Sequence, residues 1–120
     1  MPFVSVEIVG DPEYRAAGLA QALADACSPA FPPEHREVWV RVRSVPLLDW
    51  AVTSNSPPRP LPVFVHVVRE ENPGGDPLRR EIQGLTAAVA RVTGRPVDAV
   101  VVEYAPSGRG RLAFAGKLLE

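Results

Sequence analysis

Residues 2–9 read PFVSVEIV, and residues 62–69, sixty positions later, read PVFVHVVR. Both runs begin with proline and are rich in β-branched residues, which favours β-strands. The first run alternates between apolar and polar residues, whereas the second is almost continuously apolar, as is typical of a strand covered on both faces. The sequence therefore predicts two related strands, one at the start of each half of the chain.

A helix is predicted after each of these strands. Each strand is followed by an Asp-Pro pair, at residues 11–12 and 76–77. An aspartate at the N-cap accepts a backbone hydrogen bond, and proline at the first helical position sacrifices no needed donor. We expect the helices to end near Cys27 and near Thr93, where Gly94 provides a stop. Apolar residues recur on the second helix at steps of four, three, four and three, as in an amphipathic helix packed on a sheet: Leu78, Ile82, Leu85, Val89 and Val92.

A further strand is predicted in each half, at residues 37–45 and 98–104. In the first of these, three valines share one face, while Trp39, Arg41 and Arg43 share the other. Each half is therefore β-α-β, a connection that normally gives parallel strands and a right-handed crossover.

The predicted fold class is α+β, with two β-α-β repeats that form one four-stranded mixed sheet backed by two helices. The repeats span about residues 2–46 and 62–106, and a linker rich in proline and serine joins them at 46–61. Neither half could cover its sheet alone, so residues 1–120 are expected to form one domain. Residues 107–119 indicate a turn and a short edge strand, and an exposed apolar edge favours contact with a neighbouring subunit.

Composition excludes several classes of function. The net charge is −1, so neither nucleic acid nor an anionic membrane is expected as a partner. No apolar run reaches the ~20 residues that span a bilayer. The chain has one cysteine, Cys27, and two histidines, which argues against a disulfide or a multi-cysteine metal site. The amino terminus lacks a signal peptide's basic region, so a cytoplasmic protein is expected.

The order and spacing of these elements resemble the tautomerase superfamily. The resemblance rests on the Met-Pro start and on two β-α-β units of roughly sixty residues each, and it covers nearly the whole chain. Residues 64–66 (FVH) are similar to the matching strand of the isomerase and dehalogenase members, and residues 107–111 (SGRGR) to the tail of the decarboxylase member. The resemblance implies the tautomerase fold, that of 4-oxalocrotonate tautomerase and macrophage migration inhibitory factor, and a homotrimer.

The resemblance implies that Pro2 is the catalytic base once Met1 has been removed. A free α-amine has a pKa of roughly 7.7–8.0, closer to neutrality than that of lysine. An apolar pocket and nearby arginines disfavour its protonated form and lower that pKa further. Such an amine can take a proton from one atom of a substrate and return it to another.

Arginines that bind a substrate carboxylate are implied by the same resemblance. Small members of the superfamily carry one early in the strand after the helix, where this chain has Trp39, with Arg41 two residues later on the same face. Arg41, assigned a catalytic role, and Arg43 could hold a carboxylate and polarise a carbonyl. Alternatively, they form salt bridges between subunits or a solvated face. The decarboxylase and dehalogenase members place arginines at the end of the second half's first strand, where this chain has Arg69.

The remaining candidate substrate-binding residues are His35, Trp50, Tyr104 and Phe114. His35 matches a histidine of the dehalogenase member, and the alternative is a loop histidine with no role. Trp50 matches a phenylalanine that walls the pocket of the small tautomerase, and the alternative is interface packing. Tyr104 adjoins a position that contributes to a neighbouring subunit's pocket in the inhibitory factor, and Phe114 could close the pocket. His66, by contrast, is predicted to be a hydrogen-bonded core histidine.

Together these features predict a cofactor-independent keto–enol tautomerase or isomerase that acts on a small enol or 2-keto carboxylate. A related decarboxylase, hydratase or dehalogenase is an alternative activity on the same fold. Two alternatives from other classes are a non-catalytic oligomeric binding or structural protein and a ferredoxin-like ligand-binding regulator. Neither of these two needs a basic Pro2.

Overall fold

The four long strands form one mixed sheet. The structure, a computed structural model, describes residues 1–10, 17–53 and 60–120. In the order β2-β1-β3-β4, β1 is parallel to β2, β3 is parallel to β4, and the central β1–β3 pair is antiparallel. Both predicted repeats are present and share this sheet, which confirms the predicted α+β fold. The strands are β1 (Phe3–Val9), β2 (Trp39–Val45), β3 (Val63–Val68) and β4 (Val100–Tyr104).

Two helices cover one face of the sheet. The helix α1 (Leu19–Cys27) contacts β2, α2 (Gly75–Thr93) contacts β4, and the helices contact each other. Alternate residues of β1 and β3 point into this layer and are almost fully buried. Each buried valine or leucine stabilises the fold by about 1.5–3 kcal/mol, so this layer is the core. Its buried residues are Val4, Val6, Ile8, Leu23, Cys27, Phe31, Val63, Val65, Val67, Leu85, Ala88 and Val89.

The predicted end of α2 is confirmed, but its predicted start is wrong. Gly94 adopts the left-handed conformation (φ 73°), and its N–H donates to the carbonyl of Ala90 at 3.0 Å. At the other end, Gly74 is the N-cap, so the helix begins before Asp76. The carboxylate of Asp76 instead accepts a hydrogen bond from Arg79 at 2.8 Å, so it does not cap the helix.

The helix α1 is shorter than predicted. The Asp-Pro pair at 11–12 lies outside the described residues. Gly18, however, has a φ of 84° and is the N-cap, so a continuous helix from that pair to Cys27 is wrong. Leu23 and Cys27 are fully buried, and burial raises the pKa of the Cys27 thiol to about 11. The thiol therefore stays protonated near neutral pH and packs as a small apolar group.

The second face of the sheet is open in the single chain, and His66 lies on it. The side chain of His66 is 48% exposed, and its Nδ1 lies 3.1 Å from a carboxylate oxygen of Glu103. In the single chain His66 is therefore not a core residue and β3 is covered on one face only, whereas the predicted hydrogen bond of His66 is present. The alternation of the strand explains this, because Val65 and Val67 point to the helices and the residue between them must point away.

The sheet end at which β3 begins is closed by backbone contacts. Pro62 is buried, and its carbonyl accepts a hydrogen bond from the N–H of Val9 at 3.2 Å. The guanidinium of Arg95 donates to the carbonyls of Leu61 and Val9 at 2.8 and 2.9 Å. Arg95 thereby joins the start of β3 to the end of β1.

The C-terminal segment forms a hairpin where a single edge strand was predicted. The two-residue strands β5 (Ala113–Phe114) and β6 (Lys117–Leu118) are antiparallel and form a sheet of their own. Ala115 and Gly116 between them both have positive φ, at 51° and 81°. This is the conformation of a two-residue turn whose twist matches that of paired strands.

Candidate active site

Pro2 is buried at the end of the sheet where β1 begins and β3 ends. It is among the residues exposed by less than 2%, and its carbonyl accepts a hydrogen bond from the Trp39 N–H at 3.0 Å. In the antiparallel register Phe3 pairs with Val68, so one further step sets Pro2 opposite Arg69. Strand alternation turns Pro2 toward the helices, as it does Val4.

A cavity of about 230 Å³ lies at this end of the sheet. It brings together Met1, which precedes Pro2, and two of the predicted binding residues. Two carboxylates and a second arginine complete its wall. The lining residues are Met1, His35, Arg69, Glu70, Glu71 and Arg109.

Two tight turns carry His35 and Arg109 to the cavity. A 3₁₀ turn at Pro33–His35 begins with proline, and the His35 N–H donates to the Pro32 carbonyl at 2.8 Å. On the other side, the Gly108 N–H donates to the Arg69 carbonyl at 2.7 Å. A Cβ at position 108 would lie 3.0 Å from that carbonyl oxygen, so glycine permits the close approach.

Arg109 joins the C-terminal segment to the loop after β3. Its Nε donates to a Glu71 carboxylate oxygen at 2.6 Å, and its Nη1 donates to the backbone oxygen of Glu120. Glu71 and Arg109 are both substantially exposed, so their ion pair is solvated. The contact nevertheless fixes the outer rim of the cavity next to His35.

Arg69 belongs to a buried network behind the cavity. Its side chain is only 7% exposed, and its Nη1 donates to Oε1 of Glu81 on α2 at 2.7 Å. The guanidinium also lies 5.3 Å from the centre of the Phe31 ring. The second oxygen of Glu81 accepts the Tyr104 hydroxyl at 2.6 Å. Both Glu81 oxygens are therefore bonded, and the buried charges of Arg69 and Glu81 compensate each other.

The protonation of Tyr104 is fixed by this network. Burial, the hydrogen bond to Glu81 and the negative charge of Glu81 raise the pKa of the Tyr104 phenol far above its usual range, and Arg69 opposes them only in part. The hydroxyl therefore remains a donor at physiological pH. Tyr104 lies on the helix-facing side of β4, so it reaches the Pro2 end of the sheet through Glu81 and Arg69.

Glu81 was missed in the sequence, although a signal for it exists there. It lies three residues after Leu78 and four before Leu85, on the apolar stripe of α2. It is 4% exposed in the structure. A carboxylate on a buried stripe needs a buried cation or donor as partner. The position of Glu81 in the sequence therefore indicates a buried cation or hydrogen-bond donor beside its carboxylate. The periodicity of the helix does not identify which residue that is.

Arg41 and Arg43 lie on the open face of the sheet, away from the Pro2 cavity. In the strand register, Arg41 and Ser5 form one row with His66 and Glu103. The Arg41 Nη2 donates to the Ser5 hydroxyl at 3.3 Å. A groove of about 490 Å³ runs along this face between positive residues on β2 and Glu103 on β4. In one chain these arginines and Pro2 are therefore on opposite sides of the sheet.

The two predicted aromatic wall residues also contact the open face. Trp50 packs on Phe64 with ring centres 5.6 Å apart, toward the end of the sheet where β3 begins. Its indole nitrogen is buried and makes no hydrogen bond to a described residue. Phe114 stacks on Phe3 at 5.9 Å, and Phe3 contacts Trp39 edge to face. Phe114 is thus near the Pro2 end of the sheet, whereas Trp50 is not.

Comparison with solved structures identifies the fold. A fused 4-OT, solved as a wild-type asymmetric trimer, superposes with a TM-score of 0.74 at 17% identity, covering 98% of this chain and 95% of that one. Macrophage migration inhibitory factor from Oncomelania hupensis gives a TM-score of 0.71 at 16% identity, covering 100% of this chain and 83% of that one. Malonate semialdehyde decarboxylase gives 0.65 at 15% identity, covering 94% and 90%. The chain has the tautomerase-superfamily fold.

Sequence comparison adds nothing to this structural likeness. No family model matches the chain, and no curated protein matches it. The likeness to known proteins therefore lies in the backbone fold. Among the described residues, no helix is long and apolar enough to cross a membrane, and no group of three potential metal ligands occurs.

Proposed function

We propose that the chain, after loss of Met1, is a cytoplasmic homotrimeric keto–enol tautomerase that uses no cofactor. Its substrate would be a small enol or 2-keto carboxylate, and Pro2 its base. The observation that carries this proposal is the position of Pro2 on a tautomerase fold. Pro2 is buried opposite Arg69, and Arg69 lines a cavity together with Met1 and His35.

The chemistry follows from these neighbours. Removal of Met1 turns the Pro2 nitrogen from an amide into a secondary amine. Burial and the Arg69 cation both disfavour the ammonium form, which favours a base active near neutral pH. For an enol, Pro2 takes the hydroxyl proton, the O–H electron pair forms the C=O bond, and the C=C pair takes that proton back from the Pro2 ammonium at carbon. Arg69 holds the carboxylate, and His35 hydrogen-bonds the reacting oxygen.

The predicted site residues that do not line this cavity have other roles in the proposal. Since Arg41, Arg43 and Trp50 are remote from Pro2 within one chain, we assign them to the pocket of a neighbouring copy. Phe114 shields the rim beside Phe3. Tyr104 acts through Glu81 and not by contact with substrate.

A trimer is supported by surfaces that a single chain leaves unpaired. Both β2 and β4 are edge strands of the main sheet, and Trp39, Val101 and Leu118 are about half exposed. Fused 4-OT, which has the same fold, forms trimers. Sedimentation at micromolar concentration is expected to give three times the chain mass, and a monomer would contradict the assembly.

The decisive experiment compares two forms of the same sequence. The untagged protein should have an intact mass that lacks one methionine and should ketonise phenylenolpyruvate. A form with an uncleavable amino-terminal extension has the same side chains, but its Pro2 nitrogen is an amide without basicity. We expect it to lose at least about 100-fold in kcat/KM, in the range for removal of a general base. Equal activity of the two forms would exclude Pro2 as the base.

A second candidate activity is hydration of an unsaturated carboxylate in the same cavity. The presence of Glu70 and Glu71 beside His35 and Arg69 favours it, because a carboxylate can activate water while the arginine polarises the substrate. Malonate semialdehyde decarboxylase, whose fold this chain shares, has both a decarboxylase and a hydratase activity. Release of product from 2-oxo-3-pentynoate with solvent oxygen incorporated would identify hydration, whereas a stable covalent adduct on Pro2 would not.

A further inference from the structure

The buried carboxylate of Glu81 has no role in the proton transfer described above, yet it contacts Arg69, which holds the substrate carboxylate in that proposal. It lies on α2, and its two oxygens bind two different elements of the sheet end. Oε1 accepts from Arg69 just after β3, and Oε2 accepts from Tyr104 at the end of β4. A single side chain thus joins three elements at the place where the Pro2 cavity opens.

The same contacts restrict how Arg69 can move. Nη1 is fixed by Glu81, the guanidinium plane lies over Phe31, and the Arg69 carbonyl is bound by the Gly108 N–H. A guanidinium carries five N–H donors in a rigid fork, and the bond to Glu81 uses Nη1 alone. Arg69 also lines the cavity, and four of its five N–H donors are not used by Glu81. A planar carboxylate is the group that such a fork recognises best.

We propose that Glu81 and Tyr104 are positioning residues, which hold the Arg69 fork in the orientation that binds a substrate carboxylate beside Pro2. This inference rests on the proposed function, because it assigns the carboxylate subsite of that reaction. Tyr104 orients Glu81 through the second oxygen, and Glu81 orients Arg69. Neither residue touches the substrate.

Two electrophiles that differ only in the carboxylate test this assignment. In 2-oxo-3-pentynoate, the Pro2 nitrogen forms a bond to C4, one alkyne π bond breaks, and the proton of the resulting ammonium moves to C3. The neutral ynone 3-pentyn-2-one undergoes the same addition but carries a methyl group in place of the carboxylate. The measured quantity is the ratio of the two second-order labelling rates, with the adduct located at Pro2 by peptide mass spectrometry.

We expect the wild-type ratio to favour the keto acid by about tenfold or more, as a charge-assisted contact allows. Glu81→Gln should lower this ratio about tenfold with little change in the rate for the ynone. Tyr104→Phe keeps every charge and removes one hydrogen bond, so it should lower the ratio about threefold. Asp76→Asn on the exposed start of α2 is the matched control and should leave the ratio unchanged.

The outcomes separate the two proposals. If both variants label with the wild-type ratio, Pro2 is the base but Glu81 and Tyr104 do not position Arg69. A raised ratio in Glu81→Gln would mean that net charge, and not orientation, controls carboxylate binding, and it also overturns the inference. If neither reagent labels Pro2 in the wild type, the proposed function fails and this inference fails with it. Because Tyr104→Phe preserves the buried ion pair, it remains informative if Glu81→Gln does not fold.

Discussion

Ionisable side chains are buried on one face of the sheet and exposed on the other. On the helix side, Arg69 and Glu81 are 7% and 4% exposed and bind each other at 2.7 Å. On the open side, His66 and Glu103 form a pair of similar geometry, at 3.1 Å, but are 48% and 76% exposed. Water screens the second pair and cannot reach the first. Similar contact distances therefore have very different energetic consequences, and burial decides which pair controls stability.

The largest expected effect follows from breaking the buried pair on one side only. Glu81→Gln leaves the charge of Arg69 buried without its counter-charge, so we expect a loss of about 3–5 kcal/mol in the free energy of unfolding, measured with urea. The double variant Arg69→Met/Glu81→Leu removes both charges and should be less destabilised than the single variant. A cost below about 1 kcal/mol for Glu81→Gln would show that water reaches this pair.

Removing the tyrosine hydroxyl should have an intermediate effect. Tyr104→Phe deletes one hydrogen bond to a charged acceptor, so we expect a loss of about 1.5–3 kcal/mol at pH 7. Urea unfolding against the wild type measures it. No measurable change would mean that Glu81 is satisfied without Tyr104.

The contribution of Tyr104 should also depend on pH. The pKa of its phenol is raised in the folded state, so the folded chain holds this proton more tightly than the unfolded chain. Stability from this group is then fully present below the unfolded pKa, near 10, and is lost as the pH rises above it. The difference in unfolding free energy between wild type and Tyr104→Phe should therefore shrink between pH 9 and 11. The thiol of Cys27 acts in the same direction but is common to both proteins, so it cancels.

The smallest effect is expected on the open face. Glu103→Gln removes the carboxylate from an exposed contact with His66, so the unfolding free energy should change by at most about 1 kcal/mol, and less at high salt. A salt series on both proteins checks this. A loss as large as that of Glu81→Gln would indicate that an assembly buries this face.

Most of the fold could be predicted from the pattern of apolar and polar residues. The two eight-residue runs and the apolar stripe of α2 have periods that only strands and a helix satisfy, so their pairing into one sheet could be predicted. The alternation of β2 also placed Arg41 and Arg43 on one face correctly. His66 was misassigned because its neighbours are apolar on both sides, and a continuous apolar run hides which face a polar residue occupies. The start of α1 was misjudged because Gly18 at positive φ interrupts a pattern that has no other break.

The candidate site could be predicted less well from the sequence than the fold. His35, Arg69 and Arg109 line one cavity only because two tight turns carry His35 and Arg109 to the end of β3, and the β1–β3 register sets Pro2 opposite Arg69. The charge of Glu81 on an apolar stripe was visible, yet its partners come from β3 and β4. Such contacts depend on tertiary register, which local periodicity does not contain.

The internal repeat has a consequence for stoichiometry. Each half of the chain begins with a buried proline at a sheet end, but the nitrogen of Pro62 is bonded to the preceding carbonyl and cannot accept a proton. At that second sheet end, the guanidinium of Arg95 donates to two backbone carbonyls and so holds the start of β3 against the end of β1. If Pro2 is the base that we propose, each chain therefore carries one prolyl amine, and modification of the prolines in a trimer should stop at three labels. The proline at the equivalent sheet end therefore cannot act as a second base.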